Sequence, residues 1–384
     1  MVGLQNRQAK AAVRRFPAPV VDLRFVEEDE NALPGSSCSV QSTLLNLKNL
    51  LACPRCGGDL EVSPDVTECT WCGSGYLSHC GIPQLFFPHD VLFGPRDVTH
   101  KVKEFYEVNP FPKYLDDDSP DSLRERSLAS PGARHLDTQL SPHARILDAG
   151  CGTGHLANFL ALQKGRQVIG ADLSINSLYH AKHFKDRCAI HNAGFLQMNL
   201  FRPPFRKAVF DVVIADRVLH HTRDPLRGFR QLASLLKPDG LFVLSLYNPL
   251  GRAGNNMRRL LFQLSKDRLA FLRWRNETQR GRFIQRYKQP HESRHFLAEI
   301  AEDWFMANDF EFVYCSPTIG SQGLSGGEDL RYGRWPGDRG MRFQTELGML
   351  LRGLVNDGEF VMIGRNKAQL KQLDAPEVAQ ATSA

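Results

Sequence analysis

Residues 146–156 constrain this chain more than any other stretch: Ile146-Leu147-Asp148-Ala149-Gly150-Cys151-Gly152-Thr153-Gly154-His155-Leu156 is an apolar run that ends in an acid and three alternating glycines, then turns amphipathic. The pattern reads as strand, tight loop and helix. Alternating glycines let a backbone turn sharply and let a ligand approach where a Cβ would intrude. Two familiar phosphate loops are excluded. His155 stands where a G-x-G-x-x-G dinucleotide loop needs its third glycine, and no Lys-Ser/Thr pair follows as a P-loop requires. A second apolar run, Val168-Ile169-Gly170-Ala171, closes on Asp172, about 20 residues downstream, where a ribose-binding carboxylate belongs.

The series continues through Asn199, Phe210-Asp211-Val212-Val213-Ile214-Ala215-Asp216, His220-His221, and Leu236-Lys237-Pro238-Asp239-Gly240 leading into Leu241-Phe242-Val243-Leu244. With D-x-G-x-G-x-G at 148–154, these strand ends resemble the class I S-adenosylmethionine-dependent methyltransferases over residues 141–250. The resemblance implies an α/β fold with a Rossmann-like, doubly wound seven-strand sheet whose last strand is antiparallel. Its domain would span 141–366. It further implies that Asp148, Gly150, Gly152 and Gly154 line the amino-acid half of S-adenosyl-L-methionine, that Asp172 takes the ribose hydroxyls and that Leu173 packs on the adenine. Asn199 stands where many relatives carry an aspartate for the adenine amino group. Asp216 ends the fourth strand near the reacting centre.

Ahead of this domain, Cys53-Pro54-Arg55-Cys56-Gly57-Gly58 and Cys69-Thr70-Trp71-Cys72-Gly73 form two C-x-x-C pairs. Each pair brings two thiolates to one tetrahedral ion from a tight knuckle, and the following glycine leaves N–H groups free to approach the sulfurs. Four cysteines close the coordination shell, so Zn2+ here is structural; iron fits the same geometry. Cys80 and His79 are spare ligands. Residues 43–92 are read as a zinc ribbon, and the stretch through Gly81-Ile82-Pro83-Gln84-Leu85 resembles the small zinc-ribbon activator subunit of tRNA and protein methyltransferases, fused in cis.

The remaining segments are read from composition and local signals. Residues 1–42 lack a sustained period and read as a disordered tail, with a transit peptide as the alternative; residues 367–384 read as a second tail. Residues 93–140 form a linker with pocket-covering helices: Val98 onward is helical until Asn109-Pro110-Phe111-Pro112, because proline cannot continue it. That tetrapeptide differs from the N-P-P-Y motif of base-amine methyltransferases in its third residue, and it precedes the cofactor loop. Asp224-Pro225 opens a helix running to Leu236. Strand signals return at Phe310–Tyr314 and Glu359–Ile363, with a helix near 342–356.

Composition limits the class and the partners. At 42% hydrophobic and 23% charged residues, 384 residues bury a large core. No apolar run is long enough to span a membrane, and the start lacks a secretory signal, so a cytoplasmic protein is expected. The net charge is +6, yet residues 252–294 alone hold twelve Lys or Arg against Asp267, Glu277 and Glu292. This basic helical insertion, placed at 251–300, fits phosphates or a solvated face. Oligomeric state has no signature in the chain.

His220 and His221 are candidates to take a proton from an O–H or N–H acceptor, and Tyr106, Asn109 and Tyr114 are further candidates for the acceptor pocket. His291-Glu292-Ser293-Arg294-His295 matches the H-E-x-x-H pattern of zinc proteases, but Pro290 puts His291 at the start of any helix. These residues are read instead as capping a helix over 292–307. Two functions are consistent with the chain. A methyltransferase for a small molecule agrees best with the run from Phe210 to Gly240; an RNA methyltransferase would use the ribbon and basic segment to hold its substrate.

Overall fold

The computed structural model describes residues 48–88, 98–264, 289–319, 329–352 and 358–367. The expected tail at 1–42 lies outside the described residues, as do the 265–288 stretch of the basic insertion and the expected tail at 367–384 apart from Lys367, whose N–H donates to the Asp309 carbonyl. One sheet runs through the described chain in the order β1-β2-β3-β4-β7-β6-β5-β8-β9-β11-β10. Its strands are β1 (Leu60–Val62), β2 (Val66–Cys69), β3 (Gly75–His79), β4 (Ile82–Leu85), β5 (Arg145–Ala149), β6 (Gln167–Asp172), β7 (Ala193–Met198), β8 (Phe210–Asp216), β9 (Leu236–Tyr247), β10 (Phe310–Ser316) and β11 (Glu359–Asn366).

The sheet has eleven strands, not the expected seven. The difference lies in β4, which pairs in parallel with β7 through Gln84↔Gln197 and Leu85↔Met198 and so joins the N-terminal strands to the edge of the main sheet. An exposed edge is a row of unpaired N–H and C=O groups, and β4 covers it. At the other end β11 inserts antiparallel between β9 and β10, as expected.

Neighbouring residues of the central strands go to opposite faces. Ile146, Val168, Val212 and Ile214 enter one hydrophobic cluster, and Leu147, Ile169, Val213 and Ala215 enter the other. Burial on both faces explains why these strands read as continuous apolar runs. Helices cover the sheet: α1 (Val98–Val108), α2 (Pro120–Ala129), α3 (Pro131–Gln139), α4 (His155–Ala161), α5 (Ile175–Arg187), α6 (Pro225–Ala233), α7 (Ala253–Leu264), α8 (Leu297–Glu299) and α9 (Arg339–Arg352). After α8 the chain continues as a π-helical turn, Ile300–Phe305. Asp224 caps α6, its carboxylate accepting from the Arg227 N–H at 3.0 Å.

Residues 291–295 do not cap a helix over 292–307, because helical structure begins only at Leu297. Their backbone groups bond elsewhere: the Ser293 N–H donates to the His220 carbonyl and the His295 N–H to the Tyr247 carbonyl. They form an extended strap across the ends of β8 and β9.

Candidate active site

The loop after β5 carries left-handed backbone at Gly150, Gly152 and Gly154, with φ of 80°, 53° and 74°. At Gly152 a Cβ would sit 3.1 Å from the Phe111 carbonyl, and at Gly154 it would sit 2.6 Å from the Ala181 Cβ. Side chains there would fill the cradle or push α5 away. Asp172 ties this loop to the next strand: its carboxylate accepts from the Gly152 N–H at 2.8 Å and the Ser174 N–H at 2.9 Å.

Three acids stand together at the carboxyl ends of adjacent parallel strands: Asp148 in β5, Asp172 ending β6 and Asp216 ending β8. Burial pushes Asp148 up to about 8, with the Asp216 and Asp172 charges adding to it. Burial also pushes Asp172 up to about 6, against the two N–H bonds that favour its anion. Two carboxylates held above their ordinary range by burial, beside a third acid, favour a positively charged ligand. A sulfonium and an ammonium supply that charge, so the residues present fit S-adenosylmethionine.

Helix α1 closes over this loop. Glu107 accepts from Ser174 Oγ at 3.1 Å, the Ile175 N–H at 3.1 Å and the Asn176 N–H at 3.0 Å, capping α5 from another element. Thr153 Oγ1 donates to the Pro112 carbonyl at 2.5 Å. Leu173 is partly exposed beside Asp172, and its carbonyl accepts from Gln197 Nε2 at 2.9 Å. Asn199 is buried: its amide nitrogen donates to the Phe87 carbonyl at 2.9 Å, and its oxygen accepts from the Phe201 N–H at 3.1 Å. Those bonds fasten the segment after β4 to the core.

On the acceptor side, Leu219–His221 form a short 3-10 turn after β8. His220 is fully buried between Tyr247 and His221, at ring distances of 4.5 and 4.0 Å, and neither ring nitrogen has a partner among the described residues. His221 Nδ1 lies 2.8 Å from the His291 carbonyl. A carbonyl only accepts, so Nδ1 carries the hydrogen and Nε2 keeps its lone pair. Burial pushes His221 down to about 4, which keeps it neutral near pH 7. The Tyr106 ring lies 6.4 Å from His221, and its hydroxyl accepts from Gln289 Nε2 at 2.5 Å.

The other candidates sit apart from this centre. Tyr114 stacks on His155 and Phe184 at 4.0 and 4.1 Å and packs the helices together. Asn109 donates from its side chain to the Phe105 carbonyl at 3.0 Å at the end of α1. Several site residues carried no signal in the sequence. Glu107 reaches α5 from 68 residues away, and Arg252 lies 2.6 Å from Glu292 and over the Tyr247 ring at 3.9 Å. Arg217, with φ of 56°, bonds the Asp216 carboxylate at 2.9 Å.

In the N-terminal module Cys53, Cys56, Cys69 and Cys72 place four sulfurs within 4.8 Å of one another. The Cys53–Cys72 and Cys56–Cys69 sulfurs are 3.8 and 3.5 Å apart. A tetrahedral ion bonded at about 2.3 Å needs sulfur separations of about 3.8 Å, so the geometry fits one. The Gly58 N–H points at Cys56 Sγ and the Cys72 N–H at Cys69 Sγ, at 3.4 and 3.5 Å. His79 and Cys80 stand outside the cluster.

Comparison with known proteins agrees with this arrangement. A family model described as a methyltransferase domain matches residues 121–317, just over half of the chain. An uncharacterized protein of Synechococcus is 34% identical over 164 residues, covering 41% of this chain and 39% of that protein. The arginine-hydroxylase NDUFAF5 of Danio rerio is 31% identical over 131 residues, covering 34% of this chain and 38% of that protein. The ubiquinone biosynthesis O-methyltransferase of Bradyrhizobium diazoefficiens is 36% identical over 104 residues, covering 27% and 40%. The chain thus spans about two fifths of the length of these relatives. By the match over residues 121–317, the chain belongs to the S-adenosylmethionine-dependent methyltransferase family.

Proposed function

We propose that the protein transfers a methyl group to a small-molecule acceptor by in-line displacement. One observation carries the choice of a small acceptor: the Tyr106 hydroxyl of α1 is bonded to Gln289 at 2.5 Å, which closes the two elements together beside His221 rather than leaving an open groove between them. The names of relatives support it, among them the ubiquinone biosynthesis O-methyltransferase and a demethylmenaquinone methyltransferase of Lactococcus lactis.

When bound, S-adenosylmethionine supplies a methyl carbon on a positively charged sulfur. Asp148, Gly150, Gly152 and Gly154 would hold its amino-acid half, Asp172 its ribose and Leu173 its adenine. The amide of Asn199 is engaged by backbone and is left out of that set. Asp216, paired with Arg217, would border the reacting centre. Holding acceptor and methyl group in line supplies much of the acceleration. Excluding water beneath α1 and the strap strengthens every polar contact there. The four cysteines would hold a structural zinc ion, and the reading places the protein in the reducing cytoplasm, where such thiolates stay available.

The test is incubation with S-adenosylmethionine and a panel of hydroxylated aromatic and isoprenoid acceptors, reading S-adenosylhomocysteine. Because one relative is named as a hydroxylase, the readout is the demethylated cofactor and not loss of acceptor. Acceptor-dependent product supports the proposal; none across the panel counts against it. A second reading, an RNA methyltransferase, rests on the twelve Lys and Arg of residues 252–294. It requires binding to tRNA or rRNA fragments that weakens steeply as salt rises.

A further inference from the structure

The His291–His295 segment, whose letters match a zinc-protease motif, has another use in this fold. No metal cluster forms there among the described residues: the two histidines that would be ligands bond elsewhere, His291 Nε2 to the Thr222 carbonyl and His295 to Ser293 and Glu299. Glu292 is paired with Arg252 at 2.6 Å, with both side chains nearly sealed from solvent at 3% and 4% exposure. We infer that residues 289–296 are a positioning strap: the Arg252–Glu292 ion pair pins it so that the His291 carbonyl fixes His221 as the Nδ1–H tautomer, leaving Nε2 to take the proton of an acceptor hydroxyl. The inference rests on the methyl-transfer reading above and names the acceptor group.

Three further bonds hold strap and turn together, and a fourth ties the strap to the end of β9. The Ser293 N–H and hydroxyl both donate to the His220 carbonyl, at 2.8 and 3.2 Å. His291 Nε2 lies 3.1 Å from the Thr222 carbonyl, and the His295 N–H donates to the Tyr247 carbonyl at 2.9 Å. Arg259 of α7 adds a bond to the Gln289 carbonyl at 3.0 Å. The turn is thereby gripped on both sides of His221. Free imidazole in water favours hydrogen on Nε2, so a carbonyl at Nδ1 is what selects the other tautomer. Nε2 of His221 has no hydrogen-bond partner among the described residues.

The charged and titratable groups around His221 are His220 on its own turn, Tyr106 from α1, Arg252 from the turn before α7, and His291 and Glu292 from the strap. Burial keeps the ring neutral, down to about 4, so the lone pair is present throughout the physiological range. With S-adenosylmethionine bound, a hydroxyl oxygen bonding to the methyl carbon as the carbon–sulfur bond breaks, its electron pair leaving on sulfur, would make the O–H far more acidic than imidazolium. Its proton would pass to Nε2 and then to solvent, and the products would be a methyl ether and a thioether.

Nitrogen-15 NMR of histidine-labelled full-length protein tests the strap without knowledge of the acceptor, with His221→Gln used for assignment. In wild type at pH 7, His221 is expected to carry hydrogen on Nδ1 alone and not to titrate above about pH 5. Glu292→Gln and Arg252→Lys each weaken the pin and are expected to shift His221 toward the Nε2–H tautomer, Arg252→Lys less because it keeps the charge. His221 found with Nε2–H in the wild type, or a tautomer unchanged in correctly folded Glu292→Gln, overturns the inference. Calorimetric binding of S-adenosylmethionine to the same samples separates the two levels: binding with the wrong tautomer defeats the strap alone, whereas absent binding defeats the methyl-transfer reading.

Discussion

The Asp172 carboxylate, ending β6, accepts the N–H of Gly152 in the loop after β5 at 2.8 Å. The acid proposed to hold a ribose is therefore bonded to the backbone proposed to hold the amino-acid half, so one contact couples the two halves of the proposed cofactor site. Replacing Asp172 with Ala removes two acceptor bonds in a partly buried place. Affinity for S-adenosylmethionine should fall at least tenfold, about 1.4 kcal/mol, as read by isothermal titration.

The raised carboxylates give the site a pH signature. Below its ordinary range each acid is protonated in folded and unfolded chain alike; between there and the folded value, about 6 for Asp172 and about 8 for Asp148, the folded chain binds more protons, so their contribution to stability declines as pH rises. Cofactor-free protein should lose melting temperature from pH 6 to pH 8 on this account, and bound S-adenosylmethionine should offset the loss. Its positive charge lowers both acids, so binding near pH 7 should release protons. Titrations in buffers of different ionisation enthalpy measure that release directly.

Glu107→Ala should free α1 from α5. It removes three hydrogen bonds at a helix N-terminus, a loss of about 1–2 kcal/mol, and should speed cofactor release while leaving the glycine loop intact. Hydrogen exchange at the Ile175 and Asn176 amides and stopped-flow dissociation provide the two readouts. Unchanged rates with unchanged protection would mean that α1 does not gate the site.

Metal removal should be felt beyond the cysteines. Leu51, Cys53, Cys69, Tyr76 and Leu85 share one hydrophobic cluster with Leu147, Phe205 and Phe242 of the main domain. Cys69→Ser should therefore lower metal content from about one ion per chain and also lower the main unfolding transition, because β4 no longer covers the edge of β7. Elemental analysis and calorimetry on the same sample check both halves.

At the opposite end of the sheet Phe229 is fully buried and its ring meets Phe242, Trp304, Phe305 and Phe310 within 6 Å. Phe229→Ala should cost about 3–5 kcal/mol of stability, seen as a lower melting temperature with cofactor affinity retained in the folded fraction.

What the sequence disclosed and what it hid divide along contact range. The turns at Gly150–Gly154 and the C-x-x-C knuckles are local backbone chemistry, and each is legible within a few residues. The central strands were legible because burial on both faces leaves continuous apolar runs. The eleven-strand sheet was not, because its added pairing joins Leu85 to Met198, and neither residue announces a partner. Asn199 is a cofactor candidate by position, and the bond from its amide nitrogen to Phe87, 112 residues earlier, had no signal in the sequence. Likewise Glu292 sat inside a misleading motif, and its pairing with Arg252 and Arg294 is visible only in the fold.

The central claim is that the loop at 150–154, with Asp172, holds S-adenosylmethionine. Isothermal titration of the full-length protein and of Gly152→Val tests it most directly, since the Gly152 backbone has φ of 53° and a Cβ there would press on the Phe111 carbonyl at 3.1 Å. The expected result is saturable binding by the wild type that disappears in a Gly152→Val variant of native secondary structure. Wild-type protein that binds no sulfonium cofactor, or a variant that binds it as well as wild type, would contradict it.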